Sequence, residues 1–227
     1  MKGRGAMEIS TYAILSQVIS MLGTHPRYRM ITPIIEPIIK EAVAILSNSG
    51  VIAYPTDTLF GIGADYKSEK AVERIVKIKQ RDRVKGLPVL LATMNDMHTL
   101  ARDIPSVGFI LARAFWPGPL TLIVKAAEDV SDLITGGRGT IALRIPDHPV
   151  AIKIIEELGR PIIGTSANMS GMDNLLSAHD IREAFGDQID YVVGYSKPHI
   201  GRPSTIIDLT KNNPSLLRLG ALALSYI

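Results

Sequence analysis

From residue 32 onward, apolar positions recur at helical spacing: Ile34, Ile35, Ile38, Ile39, Val43 and Leu46. Pro33 and Pro37 fall where a first helical turn tolerates proline, and Ser-Asn-Ser-Gly at 47–50 marks the end. An unbroken apolar run at 51–54 then predicts a buried strand stopping at Pro55. A second helix is predicted from Ser68, a serine N-cap, with Ala71, Val72, Ile75, Val76 and Ile78 on one face. Further strands are predicted over 87–92, 120–126, 140–145, 161–164, 191–195 and 204–209. Helices are predicted over 106–116, halted by Pro117, and over 148–158, with Pro149 early and Gly159 as the stop. Another, over 177–185, opens on a Ser-x-x-Asp capping box and closes at Gly186. Strands and helices interleave, but not one to one. The pattern therefore implies an α+β or α/β-like domain around a mixed sheet, not a clean doubly wound one. There is no internal repeat or low-complexity tract, so residues 32–227 read as one domain.

Residues 1–31 read as an extension outside that domain. The apolar stretch 12–22 is interrupted by Ser16, Gln17 and Ser20, and it is far short of the roughly 20 residues a membrane span needs. Lys2 and Arg4 precede it as in a signal peptide, but HPRYRM at 25–30 replaces the small-residue cleavage site. An additional amphipathic helix, or a start placed too early, fits better than a secretion signal. The expectation is a cytoplasmic protein with no membrane segment.

Composition narrows the chemistry. Of 227 residues, 46% are hydrophobic and 21% charged, which excludes global disorder. The net charge of +3 is too small for a histone-like binder, yet agrees with anionic partners such as nucleotides or RNA. The absence of cysteine excludes a disulfide scaffold, a thiol nucleophile, an iron–sulfur cluster and a cysteine zinc site. The five histidines form no HExxH or HxxxH pair, which leaves no histidine metal cage.

Four segments gather polar residues and glycines at strand ends, where α/β proteins place ligands. The first is YPTDTLFGIG (54–63), with the hydroxyls of Thr56 and Thr58, the carboxylate of Asp57 and glycines that admit close backbone approach. Its plain alternative is a strand–turn in which Asp57 bonds nearby amides. The second is a run of eight basic residues between Lys67 and Lys85, set against Glu69, Glu73 and Asp82. Lys67, Lys70 and Arg74 read as a solvated helix face. Lys79 and Arg81 leave the helix just before a strand, where converging cations make either a helix-dipole complement or a phosphate clamp. The third is GTSANMSG (164–171), able to hold a triphosphate or simply to turn. The fourth is Arg202-Pro203-Ser204-Thr205, with Arg218 downstream. No P-loop or GxGxxG signature is present, so a nucleotide site here would be of neither kind.

In this order, the segments YPTDTLFGIGAD (54–65), KQR…KGLPVLLA (79–92), FWPGPLTLIV (115–124), TIALRIPDHP (140–149), GTSANMSG (164–171) and RPSTIIDLT (202–210) closely resemble the YrdC/TsaC family of threonylcarbamoyl-adenylate synthases. The likeness covers roughly residues 32 to 220. It implies a single domain with a twisted mixed sheet, flanking helices and a positively charged concave face. It also implies condensation of L-threonine, bicarbonate and ATP into threonylcarbamoyl-adenylate and pyrophosphate. A partner transferase would then deliver the group to adenosine 37 of tRNA. Carried over by position, Lys79 and Arg81 grip the ATP phosphates and are the catalytic cations, joined by Ser166 and Asn168. Thr140 and Arg218 contact ATP, and Lys85 stands where some members carry a nucleotide-contacting Asn. Thr58, Arg144 and Ser204 hold threonine, Arg144 as the partner of its carboxylate; Thr56 is a further hydroxyl expected in the threonine-binding set, offered by the residues themselves and not by the resemblance. Mg2+ accompanies the ATP. Near Leu90, some long-form members carry a threonine-contacting His that is absent here, and the chain stops at Ile227 soon after LRLGA, so the short form is expected.

This chemistry requires no side-chain nucleophile. The carboxylate of N-carboxy-threonine attacks the α-phosphorus, and the protein contributes positioning and charge neutralisation. Two readings compete: a non-catalytic module gripping duplex RNA or tRNA, and a carbamoyl-adenylate-forming domain like that of hydrogenase-maturation carbamoyltransferases. Low aromatic content, 5%, speaks against stacking-based RNA recognition, although weak RNA binding stays compatible with the charge.

Overall fold

The computed structural model describes residues 7–8, 35–80, 86–168, 175–194, 198 and 200–222. Along the chain lie β1 (Met7–Glu8), α1 (Glu36–Ser47), β2 (Ile52–Pro55), β3 (Phe60–Gly63), α2 (Glu69–Ile78) and β4 (Pro88–Leu90). They are followed by α3 (Asp96–Leu100), β5 (Ala101–Arg102), α4 (Ser106–Phe115), β6 (Leu120–Ala126), α5 (Asp132–Thr135) and β7 (Thr140–Arg144). The last third holds α6 (Pro149–Leu158), β8 (Ile162–Ile163), β9 (Thr165–Ser166), α7 (Ala178–Phe185), β10 (Tyr191–Val192), β11 (Thr205–Asp208) and β12 (Ser215–Arg218).

The sequence pattern implied one mixed sheet; the strands form two. The larger runs β1-β12-β11-β6-β7-β4-β8, with β5 also on β6, and its β11–β6 and β4–β7 pairs are parallel. The smaller runs β10-β2-β3-β9, with only β10–β2 parallel. The second sheet was concealed by its glycines. FGIG reads as a loop, but Gly61 faces Tyr54 across the β2–β3 ladder and all four of its residues are buried. A Cβ on Gly63 would lie 2.5 Å from the Tyr54 ring and 2.6 Å from the Ile163 carbonyl. The missing side chains are thus the space into which Tyr54 packs. Its hydroxyl donates to Ile163 O at 3.1 Å, and burial pushes the phenol well above its ordinary range against a smaller opposing pull from Arg144.

Helix boundaries follow their caps. Ser68 Oγ accepts from Ala71 N, Ser177 Oγ accepts from Asp180 N, and Gly159 closes α6 at φ 73°. In α1, Ile39, Ala42 and Leu46 are buried and pack on α6 through Val150, Ala151, Ile154 and Ile155. Each large aliphatic side chain so buried contributes about 1.5–3 kcal/mol. A larger cluster, including Val72 and Ile75 of α2, Leu111 of α4 and Leu122 of β6, fills the space beneath the larger sheet. The amphipathic helix expected over 12–22 lies outside the described residues. Met7–Glu8 of the expected extension pairs with the edge strand β12.

Arg74 corrects the basic-run reading. It is not a solvated face residue: it donates to both oxygens of Asp190, at 2.8 and 3.1 Å, and to Gln188 O at 3.2 Å. Asp190 also accepts from Val51 N at 2.6 Å, tying α2 to the entry of β2. Partial burial opposes charge on Asp190, but the bonds from Arg74 and Val51 outweigh it and hold the carboxyl below the usual aspartate range. A depressed folded-state pKa stabilises above the unfolded value and is lost as pH falls through the folded one. Asp190→Asn should therefore lower the unfolding free energy at neutral pH by a modest amount, about 1 kcal/mol or less for a half-exposed pair, with a matching fall in the midpoint. The gap from the unmodified protein should narrow as the pH falls below the ordinary aspartate range, through the lowered folded-state value. Thermal unfolding across that range checks it, and a gap that does not depend on pH contradicts the assignment.

Candidate active site

A cavity of about 320 Å³ opens between the two sheets. Strand periodicity builds its wall. On β7, Thr140, Ala142 and Arg144 line the cavity, while Ile141 and Leu143 are buried in the core. On β6, Thr121 and Ile123 line it, alternating with Leu120, Leu122 and Val124. Ser204 and Ile206 come from the β11 segment, Arg218 from β12, and Pro88 and Leu90 from β4. The smaller sheet closes the cavity with Thr56, Thr58, Phe60 and Gly61 on one side and Thr165, Ser166 and Asn168 on the other. Among the described residues the lining contains three arginines, Arg138, Arg144 and Arg218, and no acidic side chain.

Arg144 is 6% exposed and bridges the sheets. Its Nε donates to Gly118 O at 2.9 Å, Nη1 to Thr58 Oγ1 at 2.8 Å, and Nη2 to Asp57 Oδ1. A guanidinium carries five N–H groups, so two remain for a ligand. Asp57 therefore serves Arg144 and not the local amides, while its Oδ2 is buried with no hydrogen-bond partner among the described residues.

Thr56 organises the turn that presents Asp57. Its hydroxyl donates to Leu59 O at 2.6 Å and accepts from Thr58 N and Leu59 N, both at 3.2 Å. Since its proton is spent on Leu59, the 3.0 Å contact with Thr58 Oγ1 makes Thr58 the donor there. Thr56 lines the cavity, but its hydroxyl is saturated. Thr58, which accepts from Arg144, keeps one lone pair facing the ligand space. On the opposite wall, Ser204 Oγ lies 2.8 Å from Thr121 Oγ1 and accepts from Arg218 Nη2 at 3.2 Å. One hydroxyl of that pair donates to the other, leaving a second proton for a ligand.

Lys79 is placed differently from Ser166 and Asn168. The latter two are on the wall, whereas Lys79, 3% exposed, sits behind it. Its ammonium donates to Ser166 O at 2.7 Å, to Asn168 Oδ1 at 2.9 Å, and to Asn168 O. Ser166 Oγ donates to the same Asn168 Oδ1 at 2.7 Å, so the lysine shapes the turn 165–168 while bringing its charge to that wall. Of the residues expected from sequence, Thr56, Thr58, Thr140, Arg144, Ser166, Asn168, Ser204 and Arg218 meet in this one cavity. Arg81 and Lys85 lie outside the described residues. Sequence reading overlooked Thr121 and Arg138 as cavity residues and Asp57 as the partner of Arg144. The alternation along 120–126 and 138–144 is the signal that points to the first two.

Comparison with known proteins places the chain. The Sua5/YciO/YrdC family profile, described as telomere recombination, matches residues 44–220. The chain belongs to this family. A relative from Pyrococcus abyssi named threonylcarbamoyl-AMP synthase is 41% identical over 189 residues, covering 83% of this chain and 56% of that protein. One of the same name from Idiomarina loihiensis is 36% identical over 174 residues, covering 76% of this chain and 94% of its own length. The crystal structure of P. abyssi Sua5 complexed with L-threonine superposes with a TM-score of 0.80 at 40% identity, over 85% of this chain and 56% of that one. This chain thus spans about half of the P. abyssi protein and nearly all of the I. loihiensis one.

The buried pair within this Sua5/YciO/YrdC cavity makes a measurable statement. Asp57→Ala leaves Arg144 as an uncompensated buried cation, which should cost about 3–5 kcal/mol of stability. Removing both partners should cost clearly less than the sum of the single changes. A double-mutant cycle by urea unfolding reads the coupling, and additive effects contradict it.

Proposed function

We propose that the protein is a threonylcarbamoyl-AMP synthase, combining L-threonine, bicarbonate and ATP into threonylcarbamoyl-adenylate and pyrophosphate for modification of tRNA. The observation that carries this reading is a single cavity whose wall unites an amino-acid-sized polar end, built on Arg144, Thr58 and Ser204, with the Ser166–Asn168 turn backed by Lys79. Family membership and the likeness to a threonine-bound relative support it.

The steps balance without a protein nucleophile. The threonine amine and bicarbonate give N-carboxy-threonine and water. A carbamate oxygen then bonds to the α-phosphorus as the bond to the bridging oxygen breaks, and pyrophosphate leaves. Arg144 anchors the amino-acid carboxylate through its two remaining donors, which keeps the amine end free to react. Ser166 and Asn168 contact the phosphates, Lys79 lends its charge from behind them, and Arg81, three residues beyond α2 in the sequence, supplies the direct cation. Among the described residues no cluster of acidic or histidine side chains could hold a metal, and the cavity lining is free of carboxylates. Magnesium accordingly enters as part of the substrate, MgATP. The adenylate passes to a separate transferase acting on tRNA in the cytoplasm. No helix among the described residues is long and apolar enough to cross a membrane.

Pyrophosphate release tests this reading. It should require threonine and bicarbonate together. Serine, lacking one methyl, should be five- to tenfold poorer, corresponding to roughly 1 kcal/mol. Valine should be nearly inactive, because it leaves hydroxyl partners unpaired. Arg144→Ala should impair all amino acids alike, Ser204→Ala should narrow the gap between threonine and valine, and Arg81→Ala should lose at least tenfold with the fold retained. Equal turnover of valine and threonine by the unmodified enzyme contradicts the threonine assignment.

A further inference from the structure

The turn leading into β7 reads Gly136-Gly137-Arg138-Gly139, and its three glycines all have left-handed φ of 65°, 69° and 61°. Arg138 is the one residue of this turn with a side chain, and that side chain lines the cavity. It extends the alternation of Thr140, Ala142 and Arg144 beyond the N-terminal end of the strand. A Cβ built on Gly86 would lie 3.2 Å from Arg138 Nη2, which puts the guanidinium against Gly86, itself part of the wall. Gly86 in turn has φ 55°, and a Cβ there would also press on Ile134 O at 2.9 Å, so this end of the wall is kept narrow by backbone.

Arg138 is exposed and makes no hydrogen bond or ion pair to any described residue. Arg144, by contrast, is held on three sides and neutralised by Asp57. The two arginines serve different ends of the cavity. Thr140 and Arg144 are four residues apart on an extended strand, about 13 Å, which exceeds the length of one amino acid. A threonine anchored on Arg144 therefore leaves the Arg138 end for another part of the substrate set. With no acidic group among the described lining residues to repel it, an anion of high charge density fits there, and a guanidinium fork suits a phosphate.

We propose that Arg138 binds the terminal phosphates of the nucleotide, and the pyrophosphate that leaves, at the end of the cavity opposite Arg144. This rests on the reading of the cavity as a nucleotide site and adds a contact to it. The test is calorimetric titration of the full chain with inorganic tripolyphosphate and, separately, with ATP and threonine. Arg138→Ala should weaken tripolyphosphate and ATP about three- to tenfold, as for a solvent-screened charge-assisted contact. It should also flatten the salt dependence and leave threonine affinity and the unfolding temperature unchanged. Arg138→Lys should recover part of the loss. If the unmodified protein binds tripolyphosphate and Arg138→Ala binds it equally well, the inference falls and the nucleotide reading stands. If Arg138→Ala weakens threonine equally and lowers the unfolding temperature, Arg138 is a structural residue and the inference falls. If the unmodified protein binds neither ATP nor tripolyphosphate, the nucleotide reading falls and takes the inference with it.

Discussion

The ion pair between Arg144 and Asp57 joins the end of β7 in the larger sheet to the turn after β2 in the smaller one. Both side chains are almost fully buried, so neither could persist charged without the other. Its geometry is over-determined. Gly118 O holds the guanidinium from one side, Thr58 Oγ1 from another, and Thr56 locks the turn that offers both Asp57 and Thr58. The two sheets are pinned here at one end of the cavity, while the Lys79 contacts tie the end of α2 to the 165–168 turn in another part of its wall.

The same arrangement explains why a buried cation can serve as a binding group. Asp57 neutralises Arg144, which limits the desolvation penalty, yet it occupies only one edge of the guanidinium. The remaining donors stay oriented by contacts that do not depend on a ligand, so little ordering is left for binding to supply. Around this anchor the lining is hydroxyl-rich on one side and apolar on the other, through Leu90, Ile123 and Ile206. Such a surface suits an amino acid with a small amphipathic side chain better than a charged one.

How much of this could be read from sequence depended on the range of each interaction. The strand over 120–126 and the helices capped by Ser68, Ser177 and Gly159 were legible because their signals are local. Seven of the cavity-lining residues, Thr58, Thr140, Arg144, Ser166, Asn168, Ser204 and Arg218, were picked out through a family resemblance. The second sheet was not legible, since Gly61 and Gly63 suppress the apolar alternation to make room for Tyr54. Partnerships were hidden as well. Asp57 and Arg144 are 87 residues apart, and Arg74 and Asp190 are separated by 116, so the first looked like a turn residue and Arg74 like a solvated cation. Saturation of the Thr56 hydroxyl likewise becomes visible only when its partners are in place.

The central claim is that this cavity directs a carbamate oxygen, and not the amino-acid carboxylate, to the α-phosphorus. Mass spectrometry of the adenylate formed from threonine, ATP and carbon-13 bicarbonate tests it most directly. The account predicts a threonylcarbamoyl-adenylate that carries the label in its carbamoyl carbon. An unlabelled threonyl-adenylate, or AMP and pyrophosphate with no adenylate adduct, would contradict it.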